Sequence, residues 1–170
     1  MTKQVFINTF YPDAKATQDK TGIPALAILA QGAVESAWGK VCPGNMIFGV
    51  KDTDGINGNE QLLVTTEYSR SATAKFPVIL KVVPVIRNGE KWFKYTIKDY
   101  FREYNSPEDC FTDHANFFLK NKRYSKALLV KNDPYKFIDE IAKAGYATAP
   151  DYAQLLKSIA KNIEKLIPTK

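Results

Sequence analysis

Glu35 closes an apolar stretch, Pro24 to Val34, and is followed at once by Ser36-Ala37-Trp38-Gly39. A carboxyl group at the end of a buried helix and beside an indole loses solvation and faces the negative end of the helix dipole. Both effects disfavour the charged form and raise its pKa, so that it can stay protonated near neutral pH and act as a general acid toward a leaving oxygen. The run that carries it begins at a proline, which the first turn of a helix tolerates. It places Leu26, Leu29, Ala30, Ala33 and Ala37 at helical spacing, with Gln31 one turn before Glu35 and Trp38 one turn after. The spacing predicts a core helix with the carboxyl near its C-terminus.

The elements that must hold this helix are legible by pattern. A first helix is expected within Gln4 to Lys20, with Phe6, Phe10 and Ala14 on one face, separated from the second by Gly22 and Pro24. Residues 42–60 are rich in Gly, Asn and Asp and read as a loop. From Gln61 to Tyr104 β-branched and aromatic residues dominate, with strands expected at 63–68, 76–86 and 92–95 and a hairpin turn at Asn88-Gly89. Pro77 and Pro84 cannot donate to a ladder, which makes that strand an edge or breaks it. Helices resume at Ser106, an N-cap followed by Pro107, with Phe111, Ala115 and Phe118 as a stripe. Another opens at Asp133-Pro134, uses Tyr135, Ile138 and Ile141, and stops at Gly145. The last helix uses Tyr152, Leu155, Leu156, Ile159, Ile163, Leu166 and Ile167, with Lys157, Lys161 and Lys165 opposite. The whole reads as an α+β, mainly helical single domain over 1–170, with a small inserted β-hairpin lobe at about 61–104.

Composition narrows the class. A chain of 170 residues, 45% hydrophobic, suits one core. No stretch approaches the ~20 apolar residues of a membrane span, and the first ten residues lack the pattern of a secretory signal, so no membrane insertion and no self-directed export are expected. The net charge of +6 suits an anionic polymer; the lysines are scattered rather than clustered, which favours bacterial wall over nucleic acid. Cys42 and Cys110 are too few for a zinc site and are expected as buried free thiols, with a single bridge open in an oxidising compartment. Neither a phosphate loop nor metal-ligand spacing is present, so no cofactor and no metal are expected. His114, alone between Phe111 and Phe118, reads as a satisfied structural histidine.

Residues 25–51, with Gln31, Glu35-Ser-Ala-Trp-Gly39 and Phe48-Gly-Val-Lys51, resemble the peptidoglycan glucosaminidases of glycoside hydrolase family 73. Thr65-Thr-Glu-Tyr68, Asp113-His-Ala-Asn-Phe117, and Ala144-Gly-Tyr-Ala-Thr148 with Tyr152-Ala153 fit the same pattern, so that the likeness runs from about residue 22 to 167. It implies a lysozyme-like fold and cleavage of the β-1,4 bond between N-acetylglucosamine and N-acetylmuramic acid at the bacterial cell wall or periplasm. Glu35 matches the family's general acid, Glu67 its second carboxylate on the β lobe, and Tyr146 a tyrosine near the reaction centre. Glu60, Glu90 and Glu103 are neighbours that a shifted alignment favours instead of Glu67. Gln31, Trp38, Phe48 and Tyr152 are the candidate substrate-binding residues, the three aromatic ones as flat faces for sugar rings or, equally in keeping with their spacing, as core. The stretch 69–104 is longer than the family pattern, and Met46-Ile47 stands where the family often has asparagine. The expected partner is the peptidoglycan glycan strand, met by a monomer. A muramidase, a lytic transglycosylase and a catalytically silent wall-binding module are the alternatives that this sequence leaves open. Two carboxyl groups across a cleft are what glycoside hydrolysis requires, one protonating the leaving oxygen while the other activates water or supports the cationic transition state.

Overall fold

The computed structural model describes residues 1–167; the last three residues of the expected 1–170 domain lie outside the described residues. Six α-helices, two 3-10 turns and three strands alternate in an α+β fold that is mainly helical. The chain forms two compact units, one from Met1–Phe48 with the segment from Tyr104 onward, the other from Gly49–Glu103.

In the helical unit α1 (Lys3–Thr21) starts at Thr2, whose hydroxyl accepts the Val5 N–H at 3.2 Å, and ends at Gly22, whose left-handed φ of 74° lets its N–H reach the Gln18 carbonyl. Its inward face is Phe6, Ile7, Phe10, Ala14 and Thr17. α2 (Ala25–Glu35) is apolar on nearly every side, and Ala25 and every residue from Ala27 to Ala33 are buried. It therefore behaves as the central rod of this unit and packs against α1, α3 (Pro107–Lys120), α5 (Pro134–Lys143) and α6 (Tyr152–Leu166). Close approach is needed at Gly32, where a Cβ would lie 2.9 Å from Ile47.

α3 is capped as expected, the Ser106 hydroxyl accepting from the Asp109 N–H at 3.1 Å, and buries Cys110, Phe111, His114, Ala115 and Phe118. Two turns that the sequence reading missed, residues 122–124 and α4 (Ser125–Leu129), follow it. α5 buries Phe137, Ile138 and Ile141, whereas Tyr135 lies at its edge and donates its hydroxyl proton to Glu164 at 2.7 Å. On α6 the buried stripe is Tyr152, Leu156, Ala160 and Ile163. The expected Leu155 and Leu166 are exposed, and the stripe is narrower than their spacing suggested. Cys110 is buried and its thiol is pushed up to about 11 by burial, while Cys42 is only half-buried; both are free.

The second unit is a three-stranded antiparallel sheet ordered β1-β3-β2, from β1 (Glu60–Ser69), β2 (Val78–Arg87) and β3 (Glu90–Arg102). β3 extends well past the expected 92–95 because it is the central strand and is paired along both sides. β2 is an edge strand, where Pro84 needs no ladder donor, and the register slips by one residue between Ile79 and Lys81. Asn88 and Gly89 turn the hairpin at φ of 51° and 78°, the geometry that Asn-Gly favours. Opposite Glu67 lies Tyr95, fully buried, whose hydroxyl donates to the Ser71 carbonyl at 2.9 Å and ties the crossing segment to the sheet.

Candidate active site

Glu35 is the last residue of α2, and the turn beyond it is built to hold it there. The Ser36 hydroxyl, fully buried, donates to the Gly32 carbonyl at 2.6 Å and accepts the Gly39 N–H at 2.8 Å. Trp38 N–H reaches back to the Ala33 carbonyl at 2.7 Å. Ala37, Trp38 and Gly39 all take left-handed backbone with φ of 49°, 60° and 72°. A helix ending in three such residues is unusual, since each non-glycine in that region carries strain. The consequence corrects one expectation: with the helix broken at Glu35, Trp38 no longer follows it by one turn. The indole packs edge-on to Phe6 at 5.5 Å between centroids, with the Lys3 ammonium over its face at 5.1 Å.

The Glu35 charge acts instead on a pair of tyrosines. Tyr146 and Tyr152 have rings 5.7 Å apart and nearly parallel. The Glu35 charge contributes to raising the pKa of both phenols, after loss of solvation as the main cause, and Tyr152 is pushed up to about 12. Glu35 itself is open to solvent as a residue, yet the protein around its carboxyl raises the pKa above the ordinary glutamate value by desolvation. Among the described residues it has no ion-pair or hydrogen-bond partner. That combination suits a group which must carry a proton and give it away.

Behind the tyrosines lies a buried polar chain that the sequence reading missed. Gln31, fully buried on α2, donates its amide N–H to the Tyr152 hydroxyl at 3.1 Å, and its amide oxygen lies 3.1 Å from Nε2 of His114. His114 stacks face to face on Phe48 with centroids 3.7 Å apart. Phe48 is 5% exposed and also meets Phe111 edge-on, so it packs as core in this unit. Burial lowers the His114 pKa to about 3, which keeps it neutral. The signal for this chain was available only as spacing: Gln31 and Glu35 share one helical face, but nothing in the sequence pairs either with His114 or Tyr152.

In the sheet unit Glu67 sits on β1 with its carboxylate 2.6 Å from the Lys51 ammonium, which also holds Asp99 of β3 at 2.9 Å. The two carboxylates raise the Lys51 pKa, Glu67 foremost. Of the alternatives to Glu67, Glu60 is committed to its own loop, one carboxylate oxygen accepting the N–H groups of Asn57, Gly58 and Asn59 at 2.8 to 3.1 Å. Glu90 pairs with Arg70 beside the hairpin turn. Among the described residues no cluster of three or more His, Cys, Asp or Glu is arranged to hold a metal ion, and no helix is long and apolar enough to cross a membrane.

Comparison with known proteins shows the family. The chain is 31% identical over 166 residues to the peptidoglycan hydrolase FlgJ of Pseudomonas aeruginosa, covering 94% of this chain and 36% of that protein. It is 26% identical to the exo-glucosaminidase LytG of Bacillus subtilis, covering 95% and 52%. It thus spans between about a third and a half of the curated relatives it matches. The glycoside hydrolase domain of FlgJ from Salmonella typhimurium superposes with a TM-score of 0.71 at 26% identity, over 96% of this chain and 99% of that one. The catalytic domain of the Listeria monocytogenes autolysin Auto shares the fold, with a TM-score of 0.67 at 21% identity over 96% and 86%. Residues 11–165 match the model of the Glucosaminidase family, described as mannosyl-glycoprotein endo-beta-N-acetylglucosaminidase, and the chain belongs to that family of glycoside hydrolases.

Proposed function

We propose that this chain hydrolyses the β-1,4 bond between N-acetylglucosamine and N-acetylmuramic acid in peptidoglycan glycan strands, with Glu35 as general acid. Its proton passes to the 4-oxygen of the departing muramic acid while water adds at C1 of the glucosamine, so that bond cleavage consumes one water and needs no cofactor. The observation that carries the reading is the contrast between the two carboxyl groups. Glu35 is unpaired and desolvated, which favours its protonated form, whereas the Glu67 carboxylate is held by the Lys51 ammonium at 2.6 Å, which orients it to assist water or a cationic transition state. Tyr146 and Tyr152 are the flanking hydroxyls and Gln31 orients Tyr152, while Phe48 packs on the His114 that contacts Gln31 and Trp38 packs on Phe6.

The chain acts as a single, monomeric catalytic domain at the cell wall or periplasm. The relatives named as peptidoglycan hydrolases and the net charge of +6 support a wall substrate. Digestion of purified peptidoglycan by wild type and Glu35→Gln, followed by reduction and mass spectrometry, tests the reading. Reduced N-acetylglucosamine ends, lost in the variant, are expected. Reduced muramic acid ends indicate a muramidase and anhydro products a lytic transglycosylase; either overturns the bond assignment. Binding without cleavage overturns the enzymatic reading altogether.

A further inference from the structure

Three groups in a row, His114, Gln31 and Tyr152, are joined by hydrogen bonds whose direction decides where one proton goes. His114 is 7% exposed and Gln31 is fully buried, so neither is solvated freely. A neutral imidazole has one N–H, and the Gln31 oxygen can only accept; the 3.1 Å contact therefore requires the proton on Nε2. The Gln31 amide nitrogen can only donate, so across its own 3.1 Å contact the Tyr152 oxygen accepts. A phenol has a single proton. With its oxygen already accepting from Gln31, that proton must be donated elsewhere, and among the described residues the Tyr152 hydroxyl donates to no protein acceptor. Its ring stacks beside Tyr146, and the Gln31 that holds its oxygen lies one helical turn before Glu35 on α2, which sets the hydroxyl on the Glu35 face of that helix.

We propose that His114 and Gln31 fix the Tyr152 hydroxyl as a hydrogen-bond donor to the glycan beside Glu35, His114 being a positioning residue that acts through Gln31. The proposal rests on the functional reading above and deepens it. The opposite arrangement satisfies the interior equally well: with the proton on Nδ1, Nε2 accepts from a reversed Gln31 amide, and the amide oxygen draws the Tyr152 proton inward. The site then loses a donor. The stack of His114 on Phe48 at 3.7 Å and the edge contact with Phe118 at 5.0 Å lock the imidazole plane, so that the tautomer is the remaining variable.

The protein contains a single histidine, which makes the tautomer directly readable. Long-range nitrogen-proton correlation NMR of nitrogen-15-labelled wild type is expected to show a neutral ring protonated on Nε2; protonation on Nδ1 overturns the proposal. Kinetics on soluble glycan oligomers from peptidoglycan supply the second readout. Tyr152→Phe keeps the ring and removes the donor, and kcat is expected to fall at least about tenfold with KM within about twofold. Gln31→Glu keeps the His114 contact but offers Tyr152 an acceptor, and is expected to reproduce that loss, with the double variant no slower than either single one. An unchanged kcat in folded Tyr152→Phe overturns the proposal. A wild type inactive on peptidoglycan overturns the functional reading and the donor's catalytic role with it, while the tautomer is read without turnover.

Discussion

Glu35 keeps its proton to higher pH because of lost solvation rather than any like-charged neighbour, and this has a cost in stability. A carboxyl whose pKa is raised on folding binds its proton more tightly in the native state than in the unfolded chain. Its contribution to stability is therefore intact below the unfolded-state pKa and declines as pH rises through the raised native value. Glu35→Gln removes the ionisation. It is expected to abolish glycan cleavage while leaving the melting temperature at pH 7 equal to or above that of wild type, checked by paired activity assays and calorimetry. In the wild type, cleavage should fall on the basic limb of the pH-rate profile as Glu35 deprotonates, above the pH at which an ordinary glutamate does so. Ser36 carries a different burden. Its buried hydroxyl makes two of the bonds that close the turn after Glu35, so Ser36→Ala leaves the half-buried Gly39 N–H without its partner. A loss of about 1–3 kcal/mol in denaturant unfolding is expected, with reduced turnover because the carboxyl is no longer held. The role of Ser36 could not be read from the residue string: serine after glutamate is commonplace, and only the left-handed backbone at Ala37 and Trp38 shows why a small hydroxyl is needed before them.

Among the elements, α2 and the sheet were legible for different reasons and to different depths. Apolar character from Ala25 to Val34, broken only at Gln31, fixes a buried helix whatever packs on it, and Leu29 is fully buried. Leu29→Ala is expected to cost about 2–5 kcal/mol by urea unfolding, since the cavity opens where several helices meet the central one. α3 was equally plain, because Ser106, Pro107 and Asp109 make a start signal that acts locally. The short turns at residues 122–129 were missed, having no amphipathic period long enough to register, and β3 was read as four residues because its full length depends on partners on both sides. The Lys51 link to Glu67 and Asp99 was invisible for the same reason. Lys51 stands outside the three strands and is brought to β1 and β3 by its bridge to Phe101. Partly exposed ion pairs contribute little to stability, so Lys51→Met should shift the melting temperature hardly at all. Turnover should nevertheless fall, because Glu67 loses the cation that holds its carboxylate; unaltered kinetics would remove Glu67 from the mechanism.

At the scale of the molecule, the net charge of +6 is spread over many lysines, and this distribution makes a testable difference. Lysines and arginines of both units are mixed with acidic partners, as in Lys20 with Glu108, Lys157 with Asp139 and Arg70 with Glu90. No compact basic patch of the kind that reads nucleic acid is needed to explain such a surface. A diffuse positive field instead raises the encounter rate with any extended polyanion without choosing its sequence or register. Peptidoglycan carries stem-peptide carboxylates along its whole length, so attraction should assist arrival at the wall but not the chemical step. That separates two quantities which salt affects unequally. At about 0.15 M ionic strength fields are screened beyond roughly 8 Å, and further salt should weaken association with intact wall while leaving contacts inside the site unchanged. Turbidity clearing of whole peptidoglycan is therefore expected to slow several-fold between about 0.05 and 0.5 M sodium chloride through KM, with kcat on short uncharged chitin-like oligomers indifferent to salt. Equal salt sensitivity for charged and uncharged substrates would mean that salt acts on the site itself, and the scattered lysines would then be no more than a solvated surface.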